Sequence, residues 1–380
     1  MSEDDAVAVR LNPSVSDLCA ADWDALDPTG NPFVSHRFLS LLEASGSVGP
    51  GTGWSPAPLT IAAPDGTLLA ALPAYLKGHS QGEYVFDHGW AEAWQRAGGR
   101  YYPKLQIAAP FTPATGPRVL ARDTALARAM IHAAETLCRN EGLSSAHATF
   151  VADDQVALFE DAGWLIRSDI QFHWSNHGFA SFDEFIATLS SRKRKAIRKE
   201  RERALEGLEI RHLTGDMLRP EHWDAFWLFY QDTASRKWGR PYLTREAFDL
   251  IGQTMADDVL LMLAFEDGQP IAGALNFIGR DALYGRYWGA LIDRPFLHFE
   301  LCYYQAIDVA IARGLSRVEA GAQGSHKLAR GYAPVQTRSA HFIPHDGFRA
   351  AVADFLRAEQ RGIGAEQAAL MALAPFRKDG

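Results

Sequence analysis

Residues 259–289 read VLLMLAFEDGQPIAGALNFIGRDALYGRYWG and carry the clearest secondary-structure pattern in the chain. Two apolar runs, 259–265 and 271–278, flank the turn-forming segment 266–270, which predicts a β-hairpin. A third run, 283–288, is apolar and aromatic and predicts another strand. This part of the chain is therefore expected to form meandering antiparallel strands.

The order of predicted helices and strands around this meander occurs twice in the chain. Helices are predicted over 221–234 and 244–255 before it, and a helix over 298–313 and a strand over 317–320 after it. A short helix near 327 and a strand over 336–343 follow. The first half has the same order: helices over 16–26 and 36–43, a hairpin over 59–62 and 68–76, a helix over 124–140, and strands over 146–151 and 164–173. We interpret this repeat as a structural duplication.

A chain of 380 residues is longer than one hydrophobic core usually supports. We therefore predict two α/β domains with mixed sheets, an N-terminal domain over residues 1–176 and a C-terminal domain over residues 177–380 that carries the active site. Asn176, His177 and Gly178 form the expected junction.

Composition excludes several classes of protein. With 47% hydrophobic residues the chain is globular rather than disordered, and a net charge of −8 argues against a surface wholly devoted to nucleic acid. The acidic N-terminus is followed by no apolar signal segment, and no apolar run is long enough to cross a bilayer. A cytoplasmic location is expected. Three scattered cysteines exclude a cysteine-based zinc cage, and no metal site is predicted.

Several stretches together carry a family resemblance. Residues 182–210 contain FDEF (182–185), SRKRKAIRKER (191–201) and GLEI (207–210). The others are NPFVS (31–35), GEYVFD (82–87), YYPKL (101–105), PFTP (110–113), RKWGRPY (236–242), YGRYWG (284–289), HFELCYY (298–304) and GAQGSHKLARG (321–331). These stretches resemble FemAB-like proteins, in particular a bacterial branch of predicted N-acyltransferases also described as peptidoglycan biosynthesis/recognition proteins.

The resemblance implies a tandem GNAT-like, FemAB-like fold and an enzyme that transfers an acyl or aminoacyl group to an amine. The donor is expected to be aminoacyl-tRNA or acyl-CoA, with no tightly bound cofactor, and the acceptor a small-molecule or peptide amine. Ser325 departs from the family pattern, which has glutamate before the histidine of the Gly-Ala-Gln-Gly-x-His-Lys motif. This departure weakens a catalytic role at that position.

A strongly basic segment lies at 192–203, with eight basic and two acidic residues and a local charge of +6, so the rest of the chain carries −14. Such a helix can contact the phosphates of tRNA, or it can be an ordinary solvated helix face. The candidate RNA-binding residues are Arg192, Lys193, Arg194, Lys195, Arg198 and Lys199.

Two further segments are candidates for substrate binding. The loop predicted over 236–242 concentrates Arg236, Lys237, Trp238, Arg240 and Tyr242, either as a binding loop or as a loop anchored by its tryptophan. On the strand over 284–288, Arg286 and Tyr287 are candidates, because the GNAT pattern splays this strand from its neighbour and frees backbone N–H groups to polarise an acyl carbonyl. An aromatic core strand is the alternative.

Glu300 and His326 are the candidate catalytic residues, since an attacking ammonium must lose a proton. Glu300 can alternatively compensate the helix dipole, and His326 can be a structural histidine. Lys327 and Arg330 follow His326 and are expected to bind substrate.

No motif for a nucleophilic serine or cysteine is evident, so direct attack on the donor is expected. The segment 289–300 lacks the glycine-rich turn that holds the pyrophosphate of acetyl-CoA in GNAT enzymes, which favours aminoacyl-tRNA as donor. Two alternatives remain: a non-catalytic module that recognises a peptidoglycan precursor or tRNA, and a degenerate tandem in which one half keeps a site.

Overall fold

The computed structural model describes residues 8–238, 241–321 and 325–376. Contacts group the chain into unit 1, residues 1–169 and 337–363, and unit 2, residues 170–336 and 364–380. The sequence places the division at residue 176. In the structure, residues 338–342 pair with a strand of unit 1, so a segment from the C-terminal half belongs to that unit.

The α-helices are α1 Ala20–Asp24, α2 His36–Ala44, α3 His88–Arg96, α4 Thr124–Asn140, α5 Asp153–Asp161, α6 Phe182–Ala187, α7 Ser191–Leu205, α8 Pro220–Trp238, α9 Arg245–Thr254, α10 Leu297–Phe299, α11 Gln305–Ala312 and α12 Asp346–Ala372. A π-helical turn, Glu300–Tyr304, joins α10 to α11, and 3-10 helices cover Pro32–Val34, Gly215–Met217, Ala256–Asp258 and Ser325–Arg330.

The strands are β1 Val9–Leu11, β2 Trp54–Pro56, β3 Leu59–Ala62, β4 Leu68–Leu72, β5 Ala74–Lys77, β6 Lys104–Ile107, β7 Leu120–Ala121, β8 Ala146–Val151, β9 Leu165–Ser175, β10 Glu209–Leu213, β11 Val259–Glu266, β12 Gln269–Ile278, β13 Ala282–Ala290, β14 Arg317–Glu319 and β15 Ala333–Phe342.

Unit 1 contains a four-stranded antiparallel sheet, β1-β3-β4-β7, and a second group of strands in the order β2-β5-β6-β8-β15. Helix α4 packs against strands of both groups. Its apolar residues recur at helical spacing, so Met130, Ile131 and Ala134 are fully buried in one apolar core with Leu105 and Ala146.

Unit 2 is built on the strand order β10-β11-β12-β13-β14-β9. Every residue from Val259 to Phe265 in β11 is buried, as expected for a strand covered on both faces. Helix α8 packs on one face, against β12 and β13. On the other face, residues of α6, α7 and α11 form the main core with Leu283.

The two units repeat one order of strand pairings. Neighbours in β2-β5-β6-β8-β15 pair antiparallel, antiparallel, parallel and antiparallel, and neighbours in β11-β12-β13-β14-β9 pair in that same order. A helix connects the two parallel strands in each unit: α4 between β6 and β8, and α11 between β13 and β14. This agreement supports the duplication inferred from the sequence.

One predicted boundary is wrong. Residues 236–238 were expected in a loop, but they form the last turn of α8, which ends at Trp238. Arg, Lys and Trp have no side-chain feature that would stop a helix at residue 234, and the glycine that follows them, Gly239, lies outside the described residues. Within the described part of the chain, no helix combines the length and apolar character that crossing a bilayer requires.

Candidate functional site

The candidate site of unit 2 begins where β13 and β14 stop pairing. Among the described residues, their parallel ladder joins Ala282–Tyr284 to Arg317–Glu319, because β14 ends at Glu319 while β13 continues to Ala290. On its other edge, β13 contains a bulge: Leu275 pairs with Tyr287 and Asn276 with Gly285, so Arg286 is the extra residue. A bulge re-aims the strand and its backbone groups. The separation of β13 from β14 is the feature that the GNAT pattern predicts.

Helix α8 lies very close to the continuing part of β13. A Cβ atom at Gly289 would lie 2.1 Å from the backbone oxygen of Phe229, so only glycine fits there. Next to it, the Tyr287 ring packs edge-on against Tyr230 of α8, with centroids 5.1 Å apart. This face of β13 is therefore filled by α8.

A cluster of aromatic and imidazole rings lies on the opposite side, beside the separation. Trp288 of β13 lies 5.2 Å from His298, measured between ring centroids, and His298 lies 5.4 Å from Tyr303 and 6.0 Å from His326. We call Trp288, His298, Tyr303 and His326 the imidazole cluster. It connects β13, the π-helical turn and the 3-10 helix that follows β14.

His326 is the exposed member of this cluster. Its Nε2 lies 2.9 Å from the phenol oxygen of Tyr303, and its Nδ1 makes no hydrogen bond within the described residues. Partial burial lowers the pKa of His326, and the positive charges of Lys327 and Arg330 lower it further. The imidazole is therefore neutral at pH 7 and can accept a proton.

Lys327 and Arg330 are buried and hold the 3-10 helix in place. The Lys327 ammonium donates to the carbonyl oxygens of Ala320 and Gly321 at 2.6 and 2.7 Å, which fixes the chain just after β14. Arg330 donates to a Glu200 carboxylate oxygen at 2.9 Å and to the His326 carbonyl at 2.8 Å. Both cations thus stabilise the segment that presents His326.

Glu300 lies in a different network, fully buried. Its carboxylate accepts hydrogen bonds from Arg201, the shortest at 2.9 Å, and from Gln305 at 2.7 Å. Arg201 also pairs with Asp308 at 2.7 Å. Burial raises the pKa of Glu300, whereas the Arg201 charge opposes that rise. This arrangement ties α7 to the π-helical turn and to α11.

The structure gathers the predicted substrate-binding residues into two groups. Arg286 lies 5.2 Å from the Tyr287 ring, and the backbone N–H of Tyr242 donates to the Tyr230 hydroxyl at 3.1 Å, so these residues share the α8 side of β13. Lys327 and Arg330 accompany His326 instead. Of the remaining predicted residues, Arg236, Lys237 and Trp238 end α8, and Arg240 lies outside the described residues, as do residues 322–324 of the glycine-containing motif.

The two predicted catalytic residues are not in contact with each other. Glu300 faces Arg201 and Gln305, whereas His326 faces Tyr303. The π-helical turn places both Glu300 and Tyr303 but directs them to different neighbours. In the described part of the chain, no three His, Cys, Asp or Glu side chains are arranged to hold a metal ion.

The basic segment forms helix α7, as predicted. Arg192, Lys195 and Lys199 are exposed, and the structure describes no ion pair for any of them. Arg198 pairs with Asp183 at the surface, at 2.8 Å. Glu200 and Arg201, in contrast, turn inward and bind Arg330 and Glu300. The helix therefore has an anchored side and a basic, solvated side.

No sequence pattern assigned roles to Tyr303, His173 or Glu319. The rings of Tyr303 and His326 meet only because a π-helical turn changes the helical spacing, and no residue pattern marks this turn. Glu319 ends β14, its buried carboxylate lies 3.8 Å from Nε2 of His173, and burial lowers the pKa of His173. A carboxylate in the last position of a short strand is the signal that could have identified Glu319.

Comparison with solved structures places this fold among known ones. The crystal structure of FemX matches with a TM-score of 0.56 at 11% identity, covering 88% of this chain and 98% of FemX. The structure of L-PGS from Bacillus licheniformis matches with a TM-score of 0.51 at 11% identity, covering 84% of this chain and 94% of that one. At such identities the matches establish the fold alone, and they confirm the mixed α/β, FemAB-like architecture.

The sequence comparisons give the family. No curated protein matches the sequence significantly. The FemAB_like family, described as peptidoglycan biosynthesis/recognition, matches residues 14–378. The resemblance noted in the sequence is thereby confirmed: the chain belongs to the FemAB_like family and is a transferase.

Proposed function

We propose that this transferase moves an acyl or aminoacyl group from an activated donor to an amine by direct attack, at the separation between β13 and β14. The observation that carries the proposal is the position of His326, an exposed and neutral imidazole beside that separation. The amine nitrogen forms a bond to the donor carbonyl carbon, and the carbonyl bond to the leaving oxygen or sulfur breaks. One proton of the amine passes to Nδ1 of His326, which returns it to the leaving oxygen or sulfur.

The residues predicted for the site have different proposed roles. Nε2–H of His326 donates to the Tyr303 oxygen, which leaves Nδ1 as the proton acceptor. Backbone N–H groups of β13 beyond Tyr284, where the described pairing with β14 has ended, polarise the donor carbonyl. Glu300 acts as a positioning residue, because both of its oxygens are engaged inside the protein. Arg286 remains a proposed substrate contact, whereas Tyr287 and Tyr242 pack on the α8 side of β13 and support that strand.

Aminoacyl-tRNA is the donor that we favour. The segment between β13 and α10, residues 291–296, contains no glycine, and Phe296 occupies the left-handed conformation with φ of 65°. A pyrophosphate cradle needs glycines, so that backbone N–H groups can approach the anion. The exposed basic side of α7 offers a surface for RNA phosphates. Acyl-CoA is the alternative donor, and a peptide or small-molecule amine of a peptidoglycan precursor is the proposed acceptor.

To test this proposal, the purified protein is incubated with aminoacyl-tRNA that carries a mixture of radiolabelled amino acids. In separate reactions it is incubated with a panel of acyl-CoA esters. Peptidoglycan precursors and simple amines serve as acceptors. We expect label to pass from tRNA to an amine, with loss of transfer in His326→Asn. His177→Asn, an exposed histidine of the same unit, serves as the control. Glu319→Gln is included because Glu319 places a carboxylate at the end of β14, beside the separation. Full transfer by His326→Asn would contradict the proposed proton acceptor.

The basic side of α7 favours a second candidate, a non-catalytic module that recognises tRNA or a peptidoglycan precursor. Under that hypothesis the protein binds RNA or the precursor in the same mixtures but produces no labelled amide. Binding without transfer by the unsubstituted protein would support this alternative.

A further inference from the structure

Four polar side chains lie side by side on neighbouring strands of unit 1. The strand registers pair Tyr75 with Gln106, Gln106 with His147, and His147 with His341 across β5, β6, β8 and β15. None of the four is more than 2% exposed. Leu105, which alternates with Gln106, packs in the apolar core with α4, so this polar row occupies the opposite face of the strands.

Three atoms of the polar row have no hydrogen-bond partner in the described structure: the Tyr75 hydroxyl, Oε1 of Gln106 and Nε2 of His341. Folded proteins satisfy nearly all buried polar groups, by protein, water or ligand. Three buried polar groups without a hydrogen-bond partner on adjacent strands indicate a site where another molecule supplies the hydrogen bonds.

The segment 78–103, which connects β5 to β6 and carries α3, is fastened at the row by buried ion pairs. Lys104 donates to Oε2 of Glu83 at 2.7 Å and also pairs with Oδ2 of Asp87. Lys77 lies 3.6 Å from Oε1 of Glu83. The two lysines flank the segment and the two carboxylates lie within it, so the segment folds back onto its own ends.

Each of these carboxylates uses one oxygen for Lys104, while Oε1 of Glu83 faces Lys77 at 3.6 Å, beyond hydrogen-bond distance. Oε1 of Glu83 and Oδ1 of Asp87 make no hydrogen bond within the described residues. Together with Oε1 of Gln106 they are acceptors, so the complementary ligand must donate hydrogen bonds. The Trp54 ring already attracts one cation here, because the Lys77 ammonium lies 3.6 Å from its centroid.

The position of the row is also informative. Gln106 and His147 pair across β6 and β8, the parallel pair that corresponds to β13 and β14 of unit 2. On that strand pair, unit 2 has Tyr284 paired with Glu319, at the end of the ladder beside its candidate site. Both halves of the duplication thus carry buried polar groups at the same strand pair.

We propose that unit 1 holds a second binding site, for a small organic molecule carrying a primary ammonium group, at the polar row beneath segment 78–103. The ammonium donates to Oδ1 of Asp87 and Oε1 of Gln106, and the segment moves to admit it. This site is independent of the reaction proposed for unit 2.

Isothermal titration calorimetry with ethylammonium and ethanolamine tests the proposal, with tetramethylammonium as a cation that cannot donate. We expect both primary amines to bind and tetramethylammonium not to bind. Gln106→Met should weaken binding about tenfold or more, whereas Gln171→Met, a buried glutamine of unit 2, should not. Tyr75→Phe is a milder second variant, because its ring can keep its packing on Trp54. Hydrogen exchange in residues 78–103 should slow when amine is bound.

Absence of binding by either amine would overturn the proposal. So would equal affinity for tetramethylammonium, or unchanged affinity in both variants once circular dichroism shows that they are folded. A structure of crystals grown with ethanolamine that shows only water at Oδ1 of Asp87 and Oε1 of Gln106 would also overturn it.

Discussion

The phenol oxygen of Tyr303 lies 2.9 Å from Nε2 of His326, which joins a π-helical turn to the 3-10 helix that follows β14. This contact fixes one nitrogen of the imidazole and leaves the other directed away from the phenol. A histidine oriented in this way presents a defined acceptor to a substrate.

Tyr303→Phe should therefore lower kcat about tenfold with little change in KM, because the ring packing remains and only the orientation of His326 is lost. Steady-state transfer assays measure both constants. The apparent thermal midpoint should fall by only a few degrees. A variant with full kcat would show that the Tyr303 hydroxyl does not position the imidazole.

The pH dependence of transfer follows from the lowered pKa of His326. The neutral imidazole is present above its pKa, which lies below 6.5, so activity should hold down to about pH 6.5 and fall only at lower pH. Arg330→Gln removes a nearby positive charge and should move this acid limb to higher pH. A limb that stays in place or moves to lower pH would contradict the proposed acceptor, provided that circular dichroism shows the variant folded.

Glu300→Gln should reduce stability more than chemistry. The substitution leaves Arg201 with Asp308 but without the buried Glu300 carboxylate, and breaking a buried ion pair costs about 3 kcal/mol. Denaturant titration should show this loss in the free energy of unfolding, while the pH profile of kcat at a permissive temperature keeps its shape. Loss of the acid limb, with stability retained, would instead indicate that Glu300 is the proton acceptor.

If α7 binds RNA phosphates, affinity for tRNA should fall steeply as salt rises from about 50 to 200 mM. Reversing the exposed charges in Arg192→Glu, Lys195→Glu and Lys199→Glu should weaken binding and flatten this dependence. The matched control reverses three exposed arginines of unit 1: Arg96, Arg100 and Arg122. Filter binding or anisotropy measures both. An equal loss in the control would mean that only net charge matters.

The paired histidines of unit 1 should make the protein sensitive to acid. Burial lowers the pKa of His147 to about 3 and that of His341 well below its usual value. The unfolded chain binds these protons near pH 6.5 and the folded chain does not, so stability falls as pH drops below about 6.5. Each histidine contributes at most about 1.4 kcal/mol per pH unit. His147→Asn should reduce this slope in denaturant titrations, and an unchanged slope would contradict the buried neutral state.

Local sequence patterns predicted the helices and strands that are determined by local interactions. Helix α4 has the predicted bounds because its apolar spacing and the Asp123 cap define it. The hairpin of β11 and β12 was equally clear from two apolar runs and a turn. Helix α12 was not predicted, although Phe348, Val352 and Leu356 stand at helical spacing and are buried.

Features that depend on pairing between distant residues could not be predicted from the sequence. Residues 338–342 pair with β8 across almost 200 positions, and no local signal assigns them to unit 1. In the candidate site, the residue types at 300 and 326 suggested proton acceptors, but burial separates them: Glu300 is enclosed by Arg201, whereas His326 is exposed. Their partners lie in other elements, so spacing alone could not assign the two roles.

Two adjacent residues, Glu200 and Arg201, attach α7 to the helix that carries Tyr303 and Tyr304, while the lysines around them are left in solvent. The number of positive charges on this helix can therefore change over many generations without disturbing the protein interior. A descendant of this chain can gain or lose attraction for a polyanion through surface substitutions alone, with the chemistry beneath the helix left intact.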